Sequence, residues 1–344
     1  MSDNIYLGLK KDGEYYPAPN EQAFISAYEK TWTRVMADTY FPSEKMDVGH
    51  KLRPRLVYWG FLYRNSTPNT EEYEAIGKLA VSIELIHKAS LLIDDYIDRD
   101  TARHGRPAFY TEHGVERTII YSLNLLSTAL SMINKVFAEK EIAAQYFTSM
   151  ASIIDMLESM TRGVLKELDL GVISSHGLLS IKEIMILETA ELISSSLVSG
   201  YSLAGGDISA ELCLLKSIGK KVGFVFQILN DMEPFAVSNH DHKGSINIDI
   251  GRRRKNYCVA IINELASRKE RKKLDQCEEA DLEQYIFQLL ERYKVLPLLQ
   301  NECRTTLADA IEEVKNTTTN QGWASDFNMF IQSVYDVSST RLHY

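Results

Sequence analysis

Residues 84–107 read ELIHKASLLIDDYIDRDTARHGRP, an apolar helix that ends in three aspartates and runs into a basic segment. Residues three, four and seven apart share a helix face, so His87, Asp94 and Asp98 fall on one stripe. Two carboxylates one turn apart can hold Mg²⁺, which leaves its other positions to water and phosphate. A solvated acidic helix end is the alternative, but the helix dipole disfavours carboxylates at a C-terminus. The stretch therefore predicts a metal-held diphosphate.

The same helical spacing of apolar residues continues through most of the chain. The predicted helices are Glu71 to Asp94, Val115 to Phe137, Glu141 to Leu170, Ile181 to Leu203, Glu211 to Met232 and Asn256 to Leu265. No strand alternation or internal repeat interrupts them. We therefore predict an all-α, single-domain helical bundle over residues 20–309, with an N-terminal extension at 1–19 and a tail or capping helix at 310–344.

The composition and charge of the chain argue against several classes of binding partner and site. The chain has 344 residues, 45% of them apolar, and a formal net charge of −9, which would repel nucleic acid. Its four cysteines form no CxxC pair, which argues against a zinc site and a disulfide scaffold and favours the cytoplasm. No stretch approaches the roughly 18 apolar residues of a membrane span.

The opening stretch resembles the first aspartate-rich motif of the trans-isoprenyl diphosphate synthase family. That pattern is DDxxD followed by two arginines, and Asp94, Asp95, Asp98 and Arg103 match it, whereas His104 replaces the second arginine. The resemblance implies that Asp94 and Asp98 bind Mg²⁺, that Asp95 belongs to the catalytic set, and that Arg103 faces the allylic diphosphate.

Upstream, VGHKLRP at residues 48–54 is similar to the family's GGKRxRP, which binds isopentenyl diphosphate. The resemblance gives His50, Lys51 and Arg53 this role, together with His87. On the acceptor side, three positions that the family fills with a lysine and two arginines are His50, Lys51 and His104 here. Because histidine is only partly charged near neutral pH and lacks arginine's fork, we expect a weaker acceptor site and another nucleophile. Alternatively, the histidines gain protons beside the anionic diphosphate and serve adequately.

Two later segments resemble those that approach the allylic diphosphate. In LETAELI, Thr189 matches a Lys-Thr pair, but Glu188 replaces the lysine, and its side chain either points inward or is solvated. Residues 249–256, DIGRRRKN, are similar to a basic loop over the phosphates, which gives Arg253 and Lys255 the role of neutralising the diphosphate. A solvated helix start is the alternative for this cluster.

Residues 223–234, GFVFQILNDMEP, resemble the run that leads to the family's second aspartate-rich motif. Gln227 and Asp231 match, Asn230 replaces the leading aspartate and Pro234 the last one. The resemblance implies that Asn230 and Asp231 hold metal and that Gln227 and Thr189 stabilise the cation or its leaving group. An amide oxygen brings no charge, so an ion at Asn230 should be held more weakly.

Together the motifs imply a Mg²⁺-dependent prenyltransferase, a homodimer of the isoprenoid synthase helical bundle with a central active-site cavity. It would transfer the prenyl group of an allylic diphosphate to isopentenyl diphosphate or to another nucleophile. The small side chains of Ala89 and Ser90, about 6–7.5 Å before the metal ligands along the helix axis, leave room for a chain of fifteen carbons or more.

Two alternatives remain open. A class I terpene cyclase on the same fold would need no acceptor, although its metal motif matches here only over Asn230 and Asp231. A non-catalytic partner subunit of a prenyl diphosphate synthase would be consistent with Asn230, Pro234 and Glu188, but not with the intact first motif.

Overall fold

The computed structural model describes residues 18–38, 51–103, 106–139, 143–235, 255–318 and 320–340. Its α-helices are α1 (Glu21–Asp38), α2 (Leu52–Arg64), α3 (Thr70–Ile97), α4 (Phe109–His113), α5 (Val115–Glu139), α6 (Ala143–Leu168), α7 (Leu178–Met185), α8 (Glu191–Leu203), α9 (Ser209–Met232), α10 (Tyr257–Leu265), α11 (Arg268–Gln276), α12 (Glu279–Tyr293), α13 (Val295–Thr317) and α14 (Gln321–Thr340). The remaining elements are 3₁₀ turns at Ile173–Ser175 and Glu233–Phe235, a π-helical turn at Ile186–Ala190, and an antiparallel pair of strands, β1 (Ala102–Arg103) and β2 (Arg106–Pro107). The predicted all-α class is confirmed. None of the described helices is long and apolar enough to cross a membrane.

The chain divides into two compact units, each built from separate stretches of sequence. The first comprises Met1–Ile153, Ser195–Lys216 and Asn320–Phe327, and the second comprises Ile154–Ser194, Ser217–Thr319 and Asn328–Tyr344. Helix α13 runs through the boundary predicted at residue 309. The division into 1–19, 20–309 and 310–344 stays a prediction.

Helix α3 is the main support of the first unit. It begins with a capping box, in which the Asn69 side chain accepts from the Glu72 N–H and the Glu72 carboxylate accepts from the Asn69 N–H. Such a reciprocal pair satisfies two backbone donors that the first helical turn otherwise leaves open. The helix then continues for 28 residues. It therefore carries both His87 and the aspartates at its end on one rigid element.

Glycines bring α2 and α8 into backbone contact within the first unit. A Cβ atom at Gly60 would lie 2.0 Å from the carbonyl oxygen of Leu197, and one at Gly200 would lie 1.9 Å from that of Val57. Any larger residue at either position would force the helices apart. This close approach fixes α2, which has Lys51 as its N-cap residue and Arg53 in its first turn.

The C-terminal segment is helical, and its first part belongs to the first unit. Trp323 is 5% exposed, donates its indole N–H to the Trp59 carbonyl oxygen at 2.8 Å and stacks on Phe327 with ring centroids 4.5 Å apart. Residues Gln321–Thr340 of this segment are thus helical, as α14.

The second unit has its own apolar core, which joins α7, the end of α9, α10, α12 and α13. Ile181, Ile228, Ile262 and Leu299 are fully buried in it. The polar Asn263 is also buried, and its amide donates to the Ile173 carbonyl oxygen at 2.6 Å. The core brings the end of α9, with Asp231, against the start of α10.

Candidate functional site

The acidic end of α3 presents two accessible carboxylates and one buried carboxylate. The Asp94 side chain is 44% exposed and Asp98 is partly buried at the helix C-cap, whereas Asp95 is only 4% exposed. Asp94 and Asp98 are one helical turn apart, as predicted. They can offer oxygens to a hard cation while Asp95 faces the protein.

Arg103, in β1, is bound to these aspartates. Its Nε donates to Asp95 Oδ1 at 2.5 Å, and its Nη2 lies 3.7 Å from Asp94 Oδ2. Burial raises the pKa of Asp95 to about 6, although the Arg103 charge opposes this. The pairing holds the guanidinium beside the accessible carboxylate, where it can meet a bound anion.

A cluster of basic side chains lies further back on α3 and at the start of α2. Lys51 has a left-handed backbone with φ of 50°, and its Nζ lies 3.9 Å from Glu84 Oε1 and 4.8 Å from the centre of the Trp32 ring. The Lys88 Nζ lies 3.4 Å from the same Glu84 oxygen. Lys51 and Lys88 therefore share one carboxylate that is 3% exposed.

Arg53 completes this basic cluster through His87. Its Nη1 lies 3.1 Å from His87 Nε2. Since arginine can only donate, Nε2 accepts and the imidazole is neutral. Burial, and then the Arg53 charge, hold the pKa of His87 well below its usual value, and burial lowers that of Arg53 to about 10. Among the described residues, the Arg53 Nε is buried without a hydrogen-bond partner.

Lys88 is the member of this cluster that the sequence motifs missed. It matches no motif residue, but its position four residues after Glu84 places both side chains on one helix face. Its side chain is 8% exposed, and burial lowers its pKa. Counting the described side chains, three cations (Lys51, Arg53, Lys88) surround one carboxylate (Glu84) and a neutral imidazole (His87). The cluster thus has an excess of two positive charges.

In the second unit, Thr189, Gln227 and Asp231 form one hydrogen-bonded chain. The Thr189 hydroxyl donates to Gln227 Oε1 at 2.9 Å, and Gln227 Nε2 donates to Asp231 Oδ1 at 2.7 Å. Asp231 is 8% exposed, and burial raises its pKa to about 6. The neighbouring Asn230 is exposed. The structure thus brings the three matching residues together and turns Asn230 to the surface.

Lys255 is enclosed by two carboxylates. Its ammonium donates to both Glu167 and Glu188, whose side chains are 20% and 15% exposed. Burial alone would lower the pKa of Lys255, but the charges of Glu188 and Glu167 outweigh it and raise that pKa. Of the two orientations considered for Glu188, the inward one is therefore observed.

Ala89 and Ser90, the two small residues before the aspartates on α3, are buried and partly buried, respectively. Ala89 is 4% exposed, and its carbonyl oxygen accepts from the Ser122 hydroxyl at 2.8 Å. The Ser90 hydroxyl turns back to the His87 carbonyl oxygen at 2.8 Å. The predicted role of both residues in chain length stays a prediction.

Three predicted site residues, His50, His104 and Arg253, lie outside the described residues. In the part of the chain that the structure describes, no group of three or more His, Cys, Asp or Glu side chains is arranged to hold a metal ion. A site with two carboxylate ligands at Asp94 and Asp98 would depend on water and phosphate for the other positions, as Mg²⁺ sites commonly do.

Known proteins resemble this chain in sequence. A short chain isoprenyl diphosphate synthase of Methanothermobacter thermautotrophicus is 28% identical over 229 residues, 66% of each chain. A geranylgeranyl diphosphate synthase of Pantoea ananas is 26% identical over 188 residues, 54% of this chain and 60% of the relative. The matched segments thus span less than two thirds of these relatives' length.

Solved structures share the fold. A polyprenyl synthase from Caulobacter crescentus, complexed with calcium and isoprenyl diphosphate, superposes with a TM-score of 0.78 at 17% identity, covering 97% of this chain and all of that one. A geranylgeranyl pyrophosphate synthetase from Pyrococcus horikoshii gives a TM-score of 0.71 at 20% identity, over 93% and 92% of the two chains. The polyprenyl synthetase family model matches residues 39–293, about three quarters of the sequence. The chain belongs to the polyprenyl synthetase family.

Proposed function

We propose that the protein is a Mg²⁺-dependent prenyltransferase. It ionises an allylic prenyl diphosphate and transfers the prenyl group to isopentenyl diphosphate or, given the altered acceptor motif, to another nucleophile. The bond between the allylic carbon and the diphosphate oxygen breaks, and pyrophosphate leaves with the electron pair. The acceptor supplies the electrons for the new carbon bond and then loses a proton.

The observation that carries this proposal is the pairing of two different anion sites on one helix. The accessible Asp94 lies six residues beyond Lys88 and seven beyond His87, which corresponds to about 9–10.5 Å along the helix axis. One end suits a metal-bound diphosphate, and the basic cluster suits an anion bound directly by side chains. Two anion sites of different kinds on one helix suit a reaction between two prenyl diphosphates.

At the donor end, Asp94 and Asp98 would hold Mg²⁺, which when bound neutralises the leaving pyrophosphate. Arg103 is already held beside Asp94 and would donate to the same phosphates. This preorganised charge lowers the ionisation barrier because no group has to reorient as the negative charge develops. Asp95 keeps Arg103 in place.

At the acceptor end, Lys51, Arg53 and Lys88 would bind the anionic group. Among the described residues, the buried Arg53 Nε–H has no hydrogen-bond partner, and Nη1 of the same guanidinium binds His87. A neutral His87 can also take up a proton when an anion binds beside it. The charge excess favours an acceptor that carries its own diphosphate, such as isopentenyl diphosphate, over an uncharged nucleophile.

Thr189 and Gln227 would stabilise the cation or its leaving group. Their mutual hydrogen bond fixes the amide, so that its dipole keeps one orientation during the reaction. We keep a chain of fifteen carbons or more as the expected length of the allylic chain, because Ala89 and Ser90 put no bulky side chain on α3 before the metal ligands.

Two features of α3 argue against the other candidates. The basic cluster argues against a terpene cyclase, which needs no acceptor site. The accessible metal ligands argue against a non-catalytic subunit, which needs no metal. The test incubates the pure chain and Mg²⁺ with farnesyl or geranylgeranyl diphosphate, with and without isopentenyl diphosphate, and identifies products by mass spectrometry.

Longer diphosphates that appear only with isopentenyl diphosphate would support the proposal. A hydrocarbon formed without acceptor would identify a cyclase, and inactivity alone combined with altered products beside a synthase would identify a partner subunit. The variant D94N should abolish turnover, whereas E71Q, at an exposed position in the first turn of the same helix, should leave it unchanged.

We also propose a homodimer that uses the exposed face of α5. Ile120 and Leu123 are 64% and 54% exposed, and Phe147 at the start of α6 is 70% exposed. Ile120 and Leu123 lie three residues apart on one face of α5, and exposed apolar side chains on one face favour association with another protein. The double variant I120E/L123E should convert a dimer to a monomer in size-exclusion chromatography with light scattering, and a wild-type monomer would refute this assignment.

A further inference from the structure

Helix α1 is tied to the start of α2 in the first unit. A buried ion pair joins them, in which the Arg55 Nε lies 3.1 Å from Glu21 Oε1 and both side chains are 6% exposed. The Tyr58 hydroxyl donates to the carbonyl oxygen of Pro19, just before α1 begins, at 2.6 Å. A buried pair is costly to break, because one charge would be left without its partner. The position of α1 beside the first turns of α2 is therefore fixed.

Helix α1 also lies directly against α3. A Cβ atom at Gly77 would come within 2.9 Å of the Ala27 carbonyl oxygen, so the glycine lets the two backbones touch. Tyr28 follows on α1, and its ring stacks on that of Trp32 with centroids 6.0 Å apart and an interplanar angle of 15°. The two residues are 6% and 5% exposed. Together, Tyr28 and Trp32 form a buried aromatic wall.

The Lys51 ammonium lies over this aromatic wall. Its Nζ is 4.8 Å from the centre of the Trp32 ring and 6.0 Å from that of the Tyr28 ring. The same nitrogen lies 3.9 Å from Glu84 Oε1 on α3. A ring quadrupole attracts a cation over its face, and the attraction is stronger where water is excluded. The Lys51 side chain is only 10% exposed, so α1 and α3 together hold its charge.

The backbone of Lys51 is not set by local preference. Its φ of 50° lies in the left-handed region, which costs a residue with a Cβ atom roughly 1–2 kcal/mol. Lys51 is also the N-cap of α2, where short polar side chains are preferred, and it supplies no capping hydrogen bond. Such strain persists where the surrounding structure determines it, and it is frequent at binding sites. The contacts of the ammonium are the feature that accounts for this residue.

We propose that Trp32 is a positioning residue of the acceptor site. Its indole face holds the Lys51 ammonium beside Glu84, so that the charge is in place before the anionic group of the acceptor arrives. Both rings of the aromatic wall precede every motif of the site, the first of which begins at residue 48. This inference rests on the proposed function, because it concerns the acceptor that the basic cluster binds. It adds α1 to the elements that build that site.

The test measures the affinity of the full chain for inorganic pyrophosphate by calorimetry. Mg²⁺ is left out, so that metal-held binding at Asp94 and Asp98 does not contribute. W32L removes the ring face and should weaken pyrophosphate binding about five- to thirtyfold, which corresponds to about 1–2 kcal/mol. W32F keeps an aromatic face over the ammonium and should stay within about threefold of the wild type.

The matched control is F24L, which removes another buried ring of α1. Phe24 is 2% exposed and stacks on Tyr58, with ring centroids 4.8 Å apart. F24L should lower the melting temperature, as W32L does, because both variants lose buried aromatic packing. Pyrophosphate affinity should change only in W32L, since the ring of Phe24 stacks on Tyr58 and not on the lysine.

A double-mutant cycle separates positioning of the lysine from packing of the helix. If Trp32 acts through Lys51, the variant K51M already lacks the interaction, and adding W32L to K51M should weaken pyrophosphate binding by less than about twofold. Equal weakening by W32L in both backgrounds would overturn the proposal. Unchanged affinity in folded W32L would overturn it too.

Tryptophan fluorescence decides the question even where W32L fails to fold. Pyrophosphate bound at Lys51 should change the emission of the wild type, and the change should be missing in W32F, which keeps Trp59 and Trp323. The same change in W32F as in the wild type would contradict the placement of Trp32. These binding measurements need no turnover, so failure of the prenyltransferase proposal would appear separately, as wild-type protein that forms no product.

Discussion

Replacement of Lys88 by methionine tests the acceptor site at the residue that no motif identified. The change keeps the length and packing of the side chain but removes a charge that lies 3.4 Å from Glu84 Oε1. Glu84 keeps Lys51 as a partner at 3.9 Å, so the carboxylate is not left alone. The fold should therefore survive the substitution.

The expected loss follows from the position of the charge. At an effective dielectric constant of about 20, an ammonium about 4 Å from a phosphate charge contributes about 4 kcal/mol. The shared Glu84 carboxylate opposes part of this attraction. A net loss of about 1.4–2.7 kcal/mol corresponds to about a ten- to hundredfold weaker acceptor.

The assay is steady-state turnover at saturating allylic diphosphate, with isopentenyl diphosphate varied. In K88M the KM for isopentenyl diphosphate should rise about ten- to hundredfold, while the KM for the allylic diphosphate stays near the wild-type value. The control K78M removes a lysine of the same helix that pairs with Glu139 at 2.7 Å, and it should change neither constant. A folded K88M with an unchanged KM for isopentenyl diphosphate would refute the assignment of Lys88.

Three further predictions concern packing, chain length and pH. G200A should lower the melting temperature markedly or prevent folding, since a Cβ atom there would lie 1.9 Å from the Val57 carbonyl oxygen, and a wild-type melting curve would contradict this contact. A89F should shorten the product, as read by mass spectrometry, because a bulky ring would fill the space left by a residue that is 4% exposed; unchanged product length would exclude Ala89 as a determinant. Burial lowers the pKa of His176. The contribution of neutral His176 to the stability of the fold is therefore present above about pH 6.5 and is lost as the pH falls through the lowered pKa of the folded state. The melting temperature of H176F should consequently fall less between pH 7 and pH 5 than that of the wild type.

The sequence predicted the helices well because their apolar spacing is a local property. Glu71 to Asp94 was expected to be helical, and α3 extends it only to Thr70 and Ile97. Ile181 to Leu203 was expected as one regular helix, whereas the chain inserts a π-helical turn at Ile186–Ala190. Periodicity does not reveal that turn. Within the turn, Glu188 packs against α6, where a Cβ atom at Gly163 would lie 2.6 Å from the Glu188 Cγ.

The sequence identified individual residues of the site but not the partners of their side chains. The placement of Asp94 and Asp98 one helical turn apart follows from helical spacing alone. The sequence left open whether Glu188 points inward, since a residue's neighbours across the fold do not appear in its own segment. Its contact with Lys255, 67 positions away, required the second unit to be assembled.

The sequence by itself determined the all-α class, the aspartates at the end of α3 and the residues that link the chain to its family, because each follows from local spacing and side-chain chemistry. Tertiary structure decided what those residues do for one another. It gave Lys88 a place beside Lys51 and Glu84, tied Asp231 to the start of α10 and enclosed Lys255 between two glutamates. Burial and long-range contacts set these relations, and both arise only when distant segments pack together.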